Sequence, residues 1–585
     1  MNVFGSRAAP EVPTPEDASR AALAALGRLT GGLSPQALGG AWLNVLARLA
    51  TSPGRQAELA QSFFRKSVAL TQFAGRAVTG QHPTPDANGS PYAKRFSSDE
   101  WQKFPYNVYA QGFLAISDWA RDAVTDVPGA NESAQSLVGF MVREGLEAIA
   151  PDNHLPTNPK LIEQTLHEHG RNLARGMRHL AEDVQRTFKG GDAPGTEQYR
   201  VGEQVAVSPG KVILRNRLME LIQYSPQTKQ VHAEPILVVP AWIMKYYILD
   251  LSPKNSLVNY LTGLGYTVFM ISWKNPTSDD RELSMDDYLS LGVIAALDAI
   301  NAVVPNRKVN AVGYCIGGTL LSIAAAWLAG REDDRLGSLT MFAAQTDFSE
   351  PGELSVFISP SQLAMLEAMM WKEGVLDSKM MGGAFTLLRT YDLLWSPAVG
   401  NYVRGERAGL NDLMAWNADG TRMAYRMHSD YLRQLYLQND LAEGRYVALG
   451  ETLDLADITV PMFVVGTETD HVAPWRSVYK VGKLVRSGDY TFCLTSGGHN
   501  AGIISGPQHP KRRHRVRTTK AGMRLLSADK FLSSVEPQPG SWWPTWATWL
   551  EEHSSKQKVA PPKMGAAKKG YKPIEKAPGT YVLQR

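Results

Sequence analysis

The chain has 585 residues, 44% hydrophobic and 20% charged, which at about 150 residues per domain allows three or four units and a large core. Composition this close to the globular average excludes a disordered or collagen-like chain, and two cysteines cannot staple it. With 61 basic against 57 acidic residues the net charge is only +4, so nucleic acid is not an expected partner.

The segment before Pro15 has no basic stretch followed by an apolar run, so it does not read as a secretory signal, and a cytoplasmic location is expected. Apolar residues at helical spacing over 37–49, 57–73, 133–149 and 159–184 predict a helical N-terminal domain spanning 1–195. The stretch 189–195, with three glycines and a proline, reads as a linker at its end. Beyond it, short β-rich runs at 235–239, 266–271, 309–312, 339–343, 461–465 and 491–495 alternate with helical stretches. This pattern predicts an α/β domain over 196–585, a mostly parallel sheet with helices on both faces.

Residues 309–330 carry no charge and are long enough to span a bilayer. Gly313, Gly317 and Gly318 interrupt the run, which suits a strand, a tight turn and a buried helix, so no transmembrane segment is expected. The gap between the strands near 340 and 462 is too long for one crossover and predicts an inserted helical cap over about 345–455. Met365, Met369, Met370, Met380 and Met381 gather there; such density suits an adaptable apolar surface, though ordinary helical core accounts for any one of them.

At the end of the run 309–312 stand Gly313, Tyr314, Cys315, Ile316, Gly317 and Gly318. Small residues two before and two after a nucleophile permit the strained strand-to-helix turn of a nucleophile elbow, here with a thiol in place of the usual hydroxyl. So short a pattern is weak alone. Asp470 follows the run 461–465 and His499 follows 491–495, which gives the chain order nucleophile, acid, base. All three lie just past strand C-termini, where sites form in parallel sheets. Singly, the acid and the histidine read as solvated loop residues; together with Cys315 they read as a catalytic triad.

A helix N-terminus and a neighbouring imidazole activate a cysteine as thiolate, and Cys315 is placed to have both. His499 would take its proton, and Asp470 would hold the imidazole in the right tautomer. The acyl oxyanion needs two backbone donors: the N–H of Ile316 and one from the loop after 235–239, for which Trp242 is the choice. Cys493, inside an apolar run, reads as packed.

With Cys315 in the elbow, the sequence resembles the polyhydroxyalkanoate synthases from about residue 93 onward. Arg95, Phe96 and Trp101 look like the opening signature of that family's N-terminal domain, and Leu155, Thr157, Asn158 and Pro159 like a later one. Trp242, Ile243, Lys245, Tyr246, Tyr247, Ile248, Leu249 and Asp250 match its longest run, with Met244 where asparagine is usual. Ser272, Trp273, Asn275 and Pro276 follow in place, and Gly540, Ser541, Trp542, Trp543, Pro544 and Trp546 are similar to its tail. Tyr391 stands where asparagine is usual, and Ala344, Gln345 and Thr346 replace an apolar run, departures that bear on monomer length and cap dimerisation.

The resemblance implies an α/β-hydrolase fold and polymerisation of (R)-3-hydroxyacyl-CoA into an intracellular polyester, with Cys315, Asp470 and His499 on the family's catalytic positions. Length and the tyrosine beside the nucleophile resemble class I, which acts alone on short-chain monomers such as 3-hydroxybutyryl-CoA. The implied partners are the growing polyester chain, its granule surface and a second copy of the chain as a homodimer. No metal and no cofactor is implied, the CoA thioester being substrate.

Two rival readings stay open here: a thioesterase or lipase-like hydrolase on the same fold, and a non-catalytic protein that coats polymer granules. Two basic clusters are also ambiguous. Lys511, Arg512, Arg513, Arg515, Arg517 and Lys520 follow soon after His499, so Arg512, Arg513 and Arg515 could attract CoA's phosphates, or the segment could be a solvated loop. The tail over about 555–585, rich in lysine with Glu575 its only acid after Glu552, is expected to be mostly solvated.

Overall fold

The computed structural model describes residues 14–585 apart from 31, 82 and 86–88. Seven helices make up most of the N-terminal region: α1 (Pro15–Leu29), α2 (Pro35–Ala50), α3 (Pro53–Val78), α4 (Tyr106–Val124), α5 (Glu132–Ile149), α6 (Pro159–His167) and α7 (Arg171–Phe188). Proline opens α1, α2, α3 and α6, where a missing N–H is harmless, and the side chains of Thr14, Ser34 and Asn158 cap α1, α2 and α6. The helix expected over 159–184 is two helices, because Gly170 turns the chain at φ +76°.

Arg95, one of the family-like residues of this region, sits in a buried ion cluster. Arg95 donates to both oxygens of Asp152 at 2.8 Å and to Glu147 at 2.8 and 2.9 Å, with all three side chains at most 10% exposed. Its guanidinium also lies 3.8 Å from the ring centre of Tyr391, on the cap. Arg95→Ala would strand two buried carboxylates. It is expected to lower stability by about 3–5 kcal/mol, seen as an earlier denaturant midpoint at unchanged slope.

The second part of the chain is built on an 11-stranded sheet. Its strands are β1 (Gly210–Arg215), β2 (Met219–Tyr224), β3 (Ile236–Val239), β4 (Val268–Trp273), β5 (Val309–Tyr314), β6 (Leu336–Phe342), β7 (Met462–Thr467), β8 (Asp489–Thr495), β9 (Arg513–Lys520), β10 (Gln538–Pro539) and β11 (Glu575–Lys576). They lie side by side in the order β10-β9-β8-β7-β6-β5-β3-β4-β2-β1-β11. The strands from β8 to β4 are parallel, and those outside them are antiparallel. β3, β5 and β7 are buried along their whole length, as strands covered on both faces must be. The helix after β5, α8 (Ile316–Gly330), is buried almost throughout, so the uncharged stretch is a strand and a core helix. Among the described residues no helix is long and apolar enough to cross a membrane.

Between β6 and β7 the chain leaves the sheet for a run of helices, the first being α9 (Pro360–Glu373). Met365, Met369 and Met370 are buried on it, and a Cβ on Gly27 of α1 would stand 2.4 Å from the Met369 sulfur. The methionines thus receive a helix of the N-terminal region, using the close approach a glycine allows.

The tail is not free. β11 pairs with β1, and the N–H groups of Thr580 and Tyr581 each donate at 3.0 Å to Glu220, a buried carboxylate on β2 that also holds Arg215. The expectation of a solvated tail holds for lysine side chains such as Lys568, Lys569 and Lys572, which are exposed, and fails for the backbone, which straps the sheet edge.

Candidate active site

Cys315 occupies the turn between β5 and α8 at φ 54°, ψ −131°, a conformation a non-glycine residue adopts only when its surroundings force it. The glycines around it are the forcing elements. A Cβ on Gly313 would stand 2.4 Å from the Cα of Gly318, one on Gly317 would stand 2.3 Å from the Val239 carbonyl, and one on Gly318 would stand 2.4 Å from the Ala344 methyl. β5, β3 and the start of the cap therefore converge on the turn, leaving Cys315 half-buried above the sheet.

The loops after β7 and β8 bring the other two groups together. His499 Nδ1 lies 2.8 Å from Asp470 Oδ2, which also accepts the Thr467 hydroxyl at 3.0 Å. Asp470 Oδ1 accepts the N–H groups of Val472 and Ala473, both at 2.8 Å, and the carboxylate is sealed from solvent. Cys315 is close enough to the ring for its charge to act on it. Burial works against a charged imidazole, but the charges and hydrogen bonds of Asp470 and Cys315 outweigh it and hold His499 well above its ordinary value. A protonated His499 is the resting state this favours.

Ile316 is the first residue of α8, where an N–H has no acceptor within the helix. The Val239 and Pro240 carbonyls abut Gly317, which places the loop carrying Trp242 at the elbow. Trp242 commits its carbonyl to the Thr421 hydroxyl at 2.6 Å and its ring N–H to the Met427 sulfur at 3.3 Å. That leaves its backbone N–H, the group expected to serve the oxyanion.

Residue 314 is more than a spacer. The Tyr314 hydroxyl donates to Asn500 Oδ1 at 2.5 Å, and its ring lies 5.5 Å from that of His499. Asn500 in turn donates to Asn417 of the cap at 3.4 Å. From the cap, Tyr431 and Tyr436 stand close enough to Cys315 for its charge to act on both phenols, which burial, above all, keeps un-ionised. Phe348 packs on Tyr436 at 4.6 Å between ring centres. The site is thus roofed by aromatic side chains.

Comparison with known proteins gives this geometry a family. Two descriptions of the poly-beta-hydroxybutyrate polymerase N-terminus match residues 16–55 and 92–261, and the alpha/beta hydrolase fold matches 234–504. A poly(3-hydroxyalkanoate) polymerase of Methylorubrum extorquens is 39% identical over 538 residues, covering 91% of this chain and 86% of that one. The corresponding protein of Cupriavidus necator is 33% identical over 549 residues, covering 92% and 90%. The chain belongs to the poly(3-hydroxyalkanoate) polymerase family. It is an acyltransferase with an α/β-hydrolase fold and a helical N-terminal region.

In this polymerase the basic residues after His499 divide between the end of the loop after β8 and the strand β9. Arg513 and Arg515 lie on β9, paired antiparallel with β8, and both bind Glu468 at 2.8 and 3.0 Å. Arg512 donates to the carbonyls of Ser496 and Ala501. The donors of these three arginines serve the loops that carry Asp470 and His499. Cys493 lies buried in β8, where burial pushes its thiol up and keeps it inert.

Sequence reasoning missed Tyr431, Tyr436, Asn417 and Asn500. Only Asn500 carried a local signal, as the residue directly after His499 in a glycine-rich turn.

Proposed function

We propose that this polymerase converts short-chain (R)-3-hydroxyacyl-CoA into polyester through a thioester on Cys315. The observation that carries the reading is the line from Asp470 through His499 to the strained Cys315 at the head of α8. The thiolate attacks the thioester carbonyl, and the resulting oxyanion is held by the N–H groups of Ile316 and Trp242. The carbon–sulfur bond to CoA breaks, the CoA sulfur takes the proton of His499, and the acyl group remains on Cys315. Entering and leaving groups are both sulfurs, so the exchange is near balance, and a thiol suits it better than a hydroxyl.

Neutral His499 then removes the 3-hydroxyl proton of an incoming acyl-CoA, whose oxygen forms an ester with the acyl carbon as that carbon's bond to Cys315 breaks; the freed thiolate, beside protonated His499, takes up the lengthened acyl group again with release of CoA. Water in the same position would give hydrolysis. The roof of Phe348, Tyr431 and Tyr436 excludes it. A growing chain end held here keeps the enzyme at the surface of its insoluble product, and a cytoplasmic homodimer completes the reading. The test is to measure CoA release from 3-hydroxybutyryl-CoA together with its products. Release matched by insoluble polyester is expected; release matched by free 3-hydroxy acid would make the enzyme a hydrolase.

A further inference from the structure

We propose that Arg512 is the positioning residue that holds His499 in register with Cys315. The loop between β8 and β9 has to present one imidazole at a fixed place, and Arg512 grips it on both sides of that residue. Its Nη2 donates to the Ala501 carbonyl at 2.6 Å, and its Nη1 donates to the Ser496 carbonyl at 3.2 Å. The fork therefore spans the short turn that carries His499, and only a planar guanidinium reaches both carbonyls at once. Gly497, inside the grip, has φ +110°, and a Cβ there would stand 2.6 Å from Arg512 Nη1. The guanidinium fills space that only a glycine leaves.

Arg512 is itself anchored. Its carbonyl accepts the Gly540 N–H at 2.7 Å, next to the tryptophan-rich segment. From that segment Trp542 and Trp543 donate ring N–H groups to the carbonyls of Gly502 and Ile503 at 3.0 and 2.9 Å, and the Ser541 hydroxyl donates to that of Ser505. The distal half of the loop thus has three side-chain donors to its backbone carbonyls, whereas the half that bears His499 has Arg512 on its backbone and Tyr314 on the side chain of Asn500. The Gly497 carbonyl also accepts the Thr469 N–H at 3.1 Å, so the grip passes to the loop of Asp470. Arg512 makes no ion pair among the described residues, and its Nε is buried without a partner. A half-buried cation with no counter-ion serves packing poorly; carbonyls of the histidine loop are what it binds.

The inference rests on the reading of Cys315 and His499 as nucleophile and base, and one experiment separates the two. Alkylation of Cys315 by iodoacetamide across pH reports the thiolate, since Cys493 is buried. In the unsubstituted enzyme alkylation should persist well below pH 8.5, about the ordinary thiol pKa; if it does not, the pairing of Cys315 with His499 fails. Given that pairing, Arg512→Ala should move the alkylation profile upward toward that value. It should also lower kcat by up to about a hundredfold, as misplacement by about 1 Å can, with KM little changed. Arg512→Lys keeps charge and stem but cannot bridge two carbonyls, so it should recover only part of kcat, and it serves as the test if the alanine variant does not fold. An alkylation profile and kcat unchanged in both variants would overturn the proposal. So would a rise in KM alone, which would return Arg512 to phosphate binding.

Discussion

Replacing Cys315 by alanine is expected to abolish CoA release and polymer formation, a fall of about 10⁴-fold or more, the scale on which losing a nucleophile acts in triad enzymes. Serine should leave at most a trace, because its hydroxyl ionises far less readily and its ester exchanges less easily with an incoming thioester. The geometry adds a second expectation. At φ 54°, ψ −131° a side chain at this position holds strain on the order of 1–3 kcal/mol, and glycine would release it. That release exceeds the roughly 0.5–1 kcal/mol of backbone entropy a glycine forfeits on folding. Cys315→Gly should therefore be inactive yet unfold at a higher temperature than the unsubstituted enzyme, while Cys315→Ala unfolds near it. CoA release and thermal unfolding on the same preparations check both. Full polymer yield from the alanine variant would remove Cys315 from the mechanism.

The parallel strands, and the placing of Cys315, Asp470 and His499 just past their ends, were legible for one physical reason. A strand buried on both faces reads as an apolar run, and in such a sheet the site residues lie just after those runs, as Cys315, Asp470 and His499 do. The antiparallel strands were not legible. β2 is fully buried yet contains Glu220 and Gln223, whose partners are N–H groups at Thr580, Tyr581 and Gly565, far along the chain. No local window shows that a buried acid will find them. On β9 the alternation of Arg513, Arg515 and Arg517 with His514, Val516 and Thr518 has the period of a strand, but the density of charge resembles a solvated loop. The roof of the site is hidden for a different reason. Tyr431 and Tyr436 sit at ordinary positions in a helical cap, and only the folding of that cap over β5 and α8 brings them near the thiol.

His499 and Asp470 are expected to fail differently, although the structure joins them in one line. The Asp470 carboxylate is sealed from solvent and already holds His499, Thr467, Val472 and Ala473, so it has no oxygen free for substrate. Its influence therefore passes through the ring. In Asp470→Asn the amide oxygen can keep the two N–H groups of the turn, while its NH₂ faces Nδ1 and forces the proton onto Nε2. That tautomer can still donate to a Cys315 thiolate, so a first acylation survives at reduced rate. It cannot accept the proton of an incoming 3-hydroxyl, and no accessible pH ionises that hydroxyl by itself, so elongation stops. His499→Ala lacks even the donor, and acylation should appear only as the pH approaches about 8.5, where a free thiol ionises. The loss of the Asp470 charge has a further sign. That charge, with Cys315, raises His499 against burial, so the alkaline limb of the acylation (burst) rate, set by loss of the imidazolium proton, should lie well above pH 6.5 in the unsubstituted enzyme and move down in Asp470→Asn. Rapid quenching of each variant with 3-hydroxybutyryl-CoA decides it. Asp470→Asn should give a burst of CoA near one equivalent of enzyme and then almost none, and His499→Ala should give no burst at neutral pH. Sustained turnover in Asp470→Asn would show that a second base serves elongation, and equal loss of the burst in both variants would show that the rotated tautomer cannot support the thiolate.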